Sequence, residues 1–82
     1  MTIYTVCIWE ARTDAIGVRT GLGAWMDDIS FESRREAYGE VEFAHYDKPR
    51  GWVKVIKSDG TAADLIAKRE ALPAPARYRK EA

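Results

Sequence analysis

Residues 2–10 place apolar side chains on both sides of an extended chain. Tyr4, Val6 and Ile8 fall on one face, and Ile3, Cys7 and Trp9 on the other. Their β-branched and aromatic content predicts a strand. A strand with two apolar faces is central in a sheet, or its second face is covered. Residues 11–17 read as a loop, with Thr13, Asp14 and Gly17 as turn formers. A second strand follows from Val18 to Phe31, strongest over Ala24–Ile29. Gly21 and Gly23 inside it point to a bulge or a close backbone approach. Sequential strands usually neighbour each other, so the two are expected to form a hairpin.

Ser33 and Glu36 have the spacing of a capping box, which starts a helix from Arg34 to about His45. Ala37, Val41 and Ala44, with Tyr38 and His45 alongside, form its apolar stripe. Gly39 weakens this helix by about 1 kcal/mol relative to Ala. Val41, Phe43 and His45 also alternate, so residues 40–46 compete as a strand; the cap favours the helix. Asp47–Gly51 is a turn. Trp52–Ser58 reads as a third strand, with Val53, Val55 and Lys57 on one face and Trp52, Lys54 and Ile56 on the other. Thr61 caps a second helix over 62–72, with Asp64 in the first turn, where the helix dipole favours an anion. Its buried face is expected to hold Ala62, Leu65, Ile66, the stem of Arg69 and Leu72. Pro73 and Pro75 end it.

The order β-β-α-β-α predicts an α+β fold. It is a three-stranded, mainly antiparallel sheet with the first helix packed across one face. The second, C-terminal helix is left to cover an edge or the other face. Residues 1–73 form the expected domain, and 74–82 a basic, flexible tail.

A chain of 82 residues, 46% of them hydrophobic and 32% charged, is sized and composed for one folded domain. No apolar run is long enough to span a membrane. The start lacks a basic n-region, so no secretory signal is expected. The single cysteine, Cys7, excludes an internal disulfide framework and a cysteine zinc knot, and a reducing cytoplasm is the expected compartment.

Charge changes the picture more. Thirteen basic and thirteen acidic residues cancel, but residues 1–47 carry −5 and residues 48–82 carry +5. A zero net charge argues against a general nucleic-acid coat, which needs an excess of Lys and Arg. It also removes the repulsion that keeps copies apart. With two open edges on a three-stranded sheet, a homo-oligomer is expected.

Candidate chemistry is sparse. His45 is the only histidine, and Asp47 at i+2 cannot orient it on a helix. Cys7 lies among apolar residues with nothing basic nearby in sequence to lower its pKa, so it reads as a small buried hydrophobe. Asp27, Asp28, Glu32, Glu36 and Glu40 form an acidic series from the second strand down the first helix. No calcium-type loop occurs, so neither a metal nor a cofactor is expected, and the series reads as a solvated face or a surface for a basic protein partner. Glu36 and Glu40 share a helix face at i, i+4, where like charges repel. Trp9, Trp25 and Trp52 suit the sheet's packing. With Arg50, Lys54 and Lys57 nearby in sequence, these three rings, Trp52 first among them, offer the alternative of a stacking surface for single-stranded nucleic acid. Gly21-Leu22-Gly23 is too short for a phosphate loop.

Three stretches carry a resemblance. They are the strand Thr-Ile-Tyr-Thr-Val-Cys-Ile-Trp, the approach to the helix Trp-Met-Asp-Asp-Ile-Ser-Phe-Glu-Ser-Arg-Arg-Glu-Ala, and the return strand Gly-Trp-Val-Lys-Val-Ile. Across about residues 2–58 the chain resembles small accessory proteins of bacteriophages and mobile elements, of which anti-CRISPR proteins are the best known. The resemblance is architectural and transfers no functional residue. It implies a non-enzymatic inhibitor or modulator in bacterial cytoplasm, which blocks a host protein or ribonucleoprotein complex by occupying its surface. The alternative is a small nucleic-acid-binding or regulatory module that uses the basic second half.

Overall fold

The computed structural model describes residues 1–13 and 19–75. The elements follow the expected order: β1 (Ile3–Thr13), β2 (Arg19–Phe31), α1 (Arg34–Ala44), a 3-10 turn (Arg50–Trp52), β3 (Val53–Ser58) and α2 (Ala62–Glu70). The sheet has the order β2-β1-β3, and β1 pairs antiparallel with both neighbours. This is the α+β fold that the patterning predicts. β1 is central because both its faces are apolar and only two covered faces can bury them.

The layers are helix, sheet, helix. On one face α1 sets Ala37, Val41 and Ala44 against Val6, Val53, Val55, Tyr4 and Phe31. On the other, Leu65 of α2 packs with Leu72 and Ala74 against Cys7, Trp9, Trp25 and Ile56. α2 therefore covers the second face rather than an edge. α2 ends at Glu70, two residues before its expected end; it presents Leu65 and Arg69 at i, i+4, with Leu72 following just beyond it, whereas Ala62 and Ile66 of the expected buried face remain exposed.

Both helix starts are as the sequence proposes. The Ser33 hydroxyl accepts from Glu36 N–H at 3.3 Å, and the Thr61 hydroxyl accepts from Asp64 N–H at 3.2 Å. The second start is reinforced. Asp59 accepts from the Thr61 amide and hydroxyl at 2.9 and 2.7 Å, and Asp64 accepts from Asp59 N–H at 2.8 Å. The Thr61 hydroxyl and then its amide hold the exposed Asp59 carboxyl below the usual carboxylate range. Residues 40–44 complete α1, so the competing strand does not form.

β1 runs three residues past its expected end. Ala11 to Thr13 stay in the ladder because β2 is long enough to pair with them, Arg12 with Gly21 and Thr13 with Arg19. Asp14 and Gly17 of the expected loop lie outside the described residues.

β2 fits against β1 only by means of extra residues. Val6 faces Ile29 but Cys7 faces Asp27, which makes Asp28 the extra residue of a bulge. A strand alternates faces strictly, so one inserted residue exchanges inside and outside. Trp25 and Asp27 therefore lie on the α2 face, whereas Ile29 and Phe31 lie on the α1 face. One edge strand thus feeds Trp25 into one core and Phe31 into the other. A second irregularity lies between Glu10 and Arg12, and there Gly23 adopts φ +91°. A Cβ on Gly23 would sit 2.1 Å from the Glu10 carbonyl oxygen. The close approach expected from a glycine inside a strand occurs at this residue.

The core does not stop at residue 73. The Trp25 indole N–H donates to the Pro73 carbonyl at 3.1 Å, Ala74 packs on the α2-face core, and Pro75 is buried. The expected boundary at 73 falls two residues short. Residues 76–82 lie outside the described residues.

Candidate protein-interaction surface

The five acidic candidates do not share one face. Asp27 pairs in register with Cys7, on the α2 side of the sheet, and its carboxylate takes an ion pair from Arg69. Glu36 and Glu40 are carried by α1, which covers the opposite side. The Asp28 bulge causes this separation, and an aspartate bulge leaves no glycine to mark it in the sequence. Asp27 is therefore a structural link between β2 and α2. Asp28, Glu32, Glu36 and Glu40 remain, and among the described residues no cation lies within ion-pair distance of them. Asp28 is exposed on the bulge, Glu32 in the bend before α1, and Glu36 in the first turn of α1, where a carboxylate suits the dipole. Glu40 is half-buried one turn on.

The basic candidates are also divided. Lys54 is in register with Cys7 and Lys57 with Tyr4, so they lie on opposite faces of the sheet. Trp52 sits in the 3-10 turn and packs on the α2-face core, and Arg50 opens that turn. These four do not build one stacking platform. Lys57 instead borders a hollow of about 280 Å³ with Tyr4, Val55, Arg34 and Tyr38. The Arg34 guanidinium lies 5.3 Å from the centre of the Tyr38 ring.

Cys7 is fully buried, and its thiol is pushed up to about 11, first by burial and then by the Asp27 carboxylate, with Arg69 opposing. It is a protonated packing residue at neutral pH, as its surroundings in sequence suggest. Both ring nitrogens of His45 are shielded from solvent, with no hydrogen-bond partner among the described residues, so nothing orients the imidazole as a base. Among the described residues no three His, Cys, Asp or Glu side chains are grouped to hold a metal ion. Nor is any helix there long and apolar enough to cross a membrane.

One surface escaped the sequence reading. Gly39, Glu42, Phe43 and Tyr46 recur at i, i+3, i+4, i+7 along α1 and its closing turn, directly opposite Ala37, Val41 and Ala44. Phe43 is 70% exposed and Tyr46 88%, and their rings meet edge-to-face at 6.0 Å. With His45 and Arg50 these residues line an open groove of about 450 Å³. The signal was present in the helical spacing, but Val41, Phe43 and His45 also alternate and drew Phe43 into a strand pattern.

Gly39 is not needed by the fold. A Cβ there would meet nothing within 4 Å. Gly39→Ala is expected to raise stability by about 1 kcal/mol, since glycine costs about that much inside a helix. Urea unfolding of the two proteins checks this; an equal or lower midpoint for the alanine variant would show that α1 needs the glycine.

Comparison of the chain with known protein families, with curated proteins and with solved structures finds no match.

Proposed function

We propose that the protein is a non-enzymatic binding module that inhibits or modulates a nucleic-acid-handling complex by occupying its basic surface. One observation carries this reading. The chain has as many cations as anions, yet Asp28, Glu32, Glu36 and Glu40 pair with none of them among the described residues. Glu36 and Glu40 repel each other at i, i+4, a cost of a few tenths of a kcal/mol that a basic partner would relieve. Close charge pairs across an interface can be worth about 1.5–7 kcal/mol in coupling energy, more than exposed pairs gain in water. Interfaces of this kind bury about 800 Å² on each partner, within reach of a small domain. The resemblance to phage and mobile-element accessory proteins such as anti-CRISPR proteins supports the reading of a bacterial cytoplasmic module whose target is a host protein or ribonucleoprotein.

A second reading rests on the hollow formed by Arg34, Lys57, Tyr4 and Tyr38. Cations beside aromatic rings suit single-stranded nucleic acid. Capture from bacterial lysate, in nuclease-treated and untreated arms, separates the two. The protein-binding reading expects the same partner in both arms, and its loss with Asp28→Lys, Glu36→Lys and Glu40→Lys combined. Capture that vanishes with nuclease and survives the charge reversal would replace it with the second reading.

A further inference from the structure

The groove along the outer side of α1 holds chemistry that neither core uses. It contains one carboxylate, Glu42, and one guanidinium, Arg50, and no ion pair joins them to each other or to any other described residue. Phe43 and Tyr46 line the same groove and are mostly exposed. Gly39 leaves the floor open where a Cβ would find only empty space. A helix that places an aromatic stripe opposite its buried stripe has a second surface to cover.

The edges of the sheet are poor candidates for self-pairing. β2 departs from regular register with β1 at three places, and bulges twist an edge away from a flat partner. β3 is only six residues long and carries exposed Lys54 and Lys57. Short, lysine-bearing edges resist strand addition. The route to self-association expected through open edges is therefore blunted on both sides.

We infer that the outer face of α1 is a homodimer interface, in which the groove lined by Gly39, Glu42, Phe43, Tyr46 and Arg50 receives the same face of a second copy. The patch is self-complementary. In a twofold dimer each patch meets itself, so a patch bearing one acid and one base pairs Glu42 of each copy with Arg50 of the other. A purely basic or purely acidic partner would satisfy one of these groups and repel the other. Zero net charge leaves no long-range repulsion to oppose the approach. Phe43 and Tyr46 supply the apolar centre, and aromatic residues are the usual anchors of such patches. The patch is small against the roughly 800 Å² per partner of a standard interface, so association in the micromolar range is expected. This surface adjoins the carboxylates of the proposed function, because Glu36 and Glu40 lie one turn before Gly39 and Phe43 on α1.

Sedimentation equilibrium from about 1 μM to about 1 mM tests it, the range in which a weak dimer dissociates. The mass should rise from that of the 9.3 kDa chain towards twice that value. Phe43→Ala with Tyr46→Ala should give a monomer throughout, with an unchanged circular dichroism spectrum because both side chains are exposed. Glu42→Arg alone and Arg50→Glu alone should each weaken association 10-fold or more. The double exchange Glu42→Arg/Arg50→Glu should restore it, because only reciprocal pairing survives a swap of signs. A wild-type monomer at every concentration overturns the inference and leaves the groove to a different partner. A double exchange no better than the single changes also overturns it.

Discussion

Trp25→Ala is expected to cost about 3–5 kcal/mol, the usual range for truncating a buried aromatic to alanine. A domain of this length has a total stability of about 4–12 kcal/mol, so the variant keeps little margin. The effect is large because Trp25 joins three parts of the chain. Its ring packs edge-to-face on Trp9 of β1, with centres 5.5 Å apart. It helps form the core under α2, and its N–H holds the Pro73 carbonyl beyond the end of α2. Trp25→Phe separates these roles. It keeps most of the ring and loses the hydrogen bond, for an added cost of about 1 kcal/mol. Thermal unfolding should therefore rank wild type above Trp25→Phe and Trp25→Phe above Trp25→Ala, with wild type melting more than about 10 °C above Trp25→Ala at about 4–8 °C per kcal/mol. An alanine variant melting within a few degrees of wild type would mean that the α2 layer does not depend on this ring.

The second large effect comes from adding one methyl group. Gly23→Ala should destabilise by about 2–5 kcal/mol. At φ +91° an L side chain costs about 1–2 kcal/mol. The new Cβ would also lie 2.1 Å from the Glu10 oxygen and 2.8 Å from the Ala11 Cα. Those are backbone atoms of the central strand, so relief requires β1 and β2 to move apart, and overpacking of this kind adds about 1–3 kcal/mol. The same substitution at Gly39 has the opposite sign. Urea midpoints of the two alanine variants should fall on opposite sides of wild type. If both fall on the same side, the bulge at Gly23 is not the feature that sets the register of the hairpin.

Much of this fold was legible because its local signals agree with one another. Ser33/Glu36 and Thr61/Asp64 mark two helix starts by side-chain chemistry alone. The two apolar faces of β1 identify the central strand, and Gly23 announces a backbone contact. What stayed hidden depends on pairing between distant residues. No residue type in Asp27-Asp28 distinguishes a bulged strand from a regular one, so the sequence cannot tell that Asp27 turns towards Arg69 of α2. That one insertion separates Asp27 from the helix-borne carboxylates and changes which acids are available to a partner. Lys54 and Lys57 show a related limit. Their separation by three residues implies opposite faces, but only the packing of α1 brings Lys57 beside Arg34 and Tyr38. The outer stripe of α1 was written in plain helical spacing and was obscured by a competing period-two pattern.

Affinity for the captured host partner, measured with two charge-neutralised variants, tests the protein-binding account most directly. Glu36→Gln/Glu40→Gln removes two carboxylates of α1 that pair with no cation among the described residues, and Arg34→Gln/Lys57→Gln removes the cations of the hollow on the same side of the sheet. All four positions avoid the Asp27–Arg69 link, so both variants should keep the fold. The account predicts a loss of about 10-fold or more for the carboxylate variant, at least the 1.4 kcal/mol that a factor of ten represents, and little change for the other. Binding of the wild type should weaken as salt is raised, because screening shortens the reach of exposed charges to about 8 Å at physiological ionic strength. Full affinity in the carboxylate variant, with binding lost when Arg34 and Lys57 are neutralised, would contradict the account.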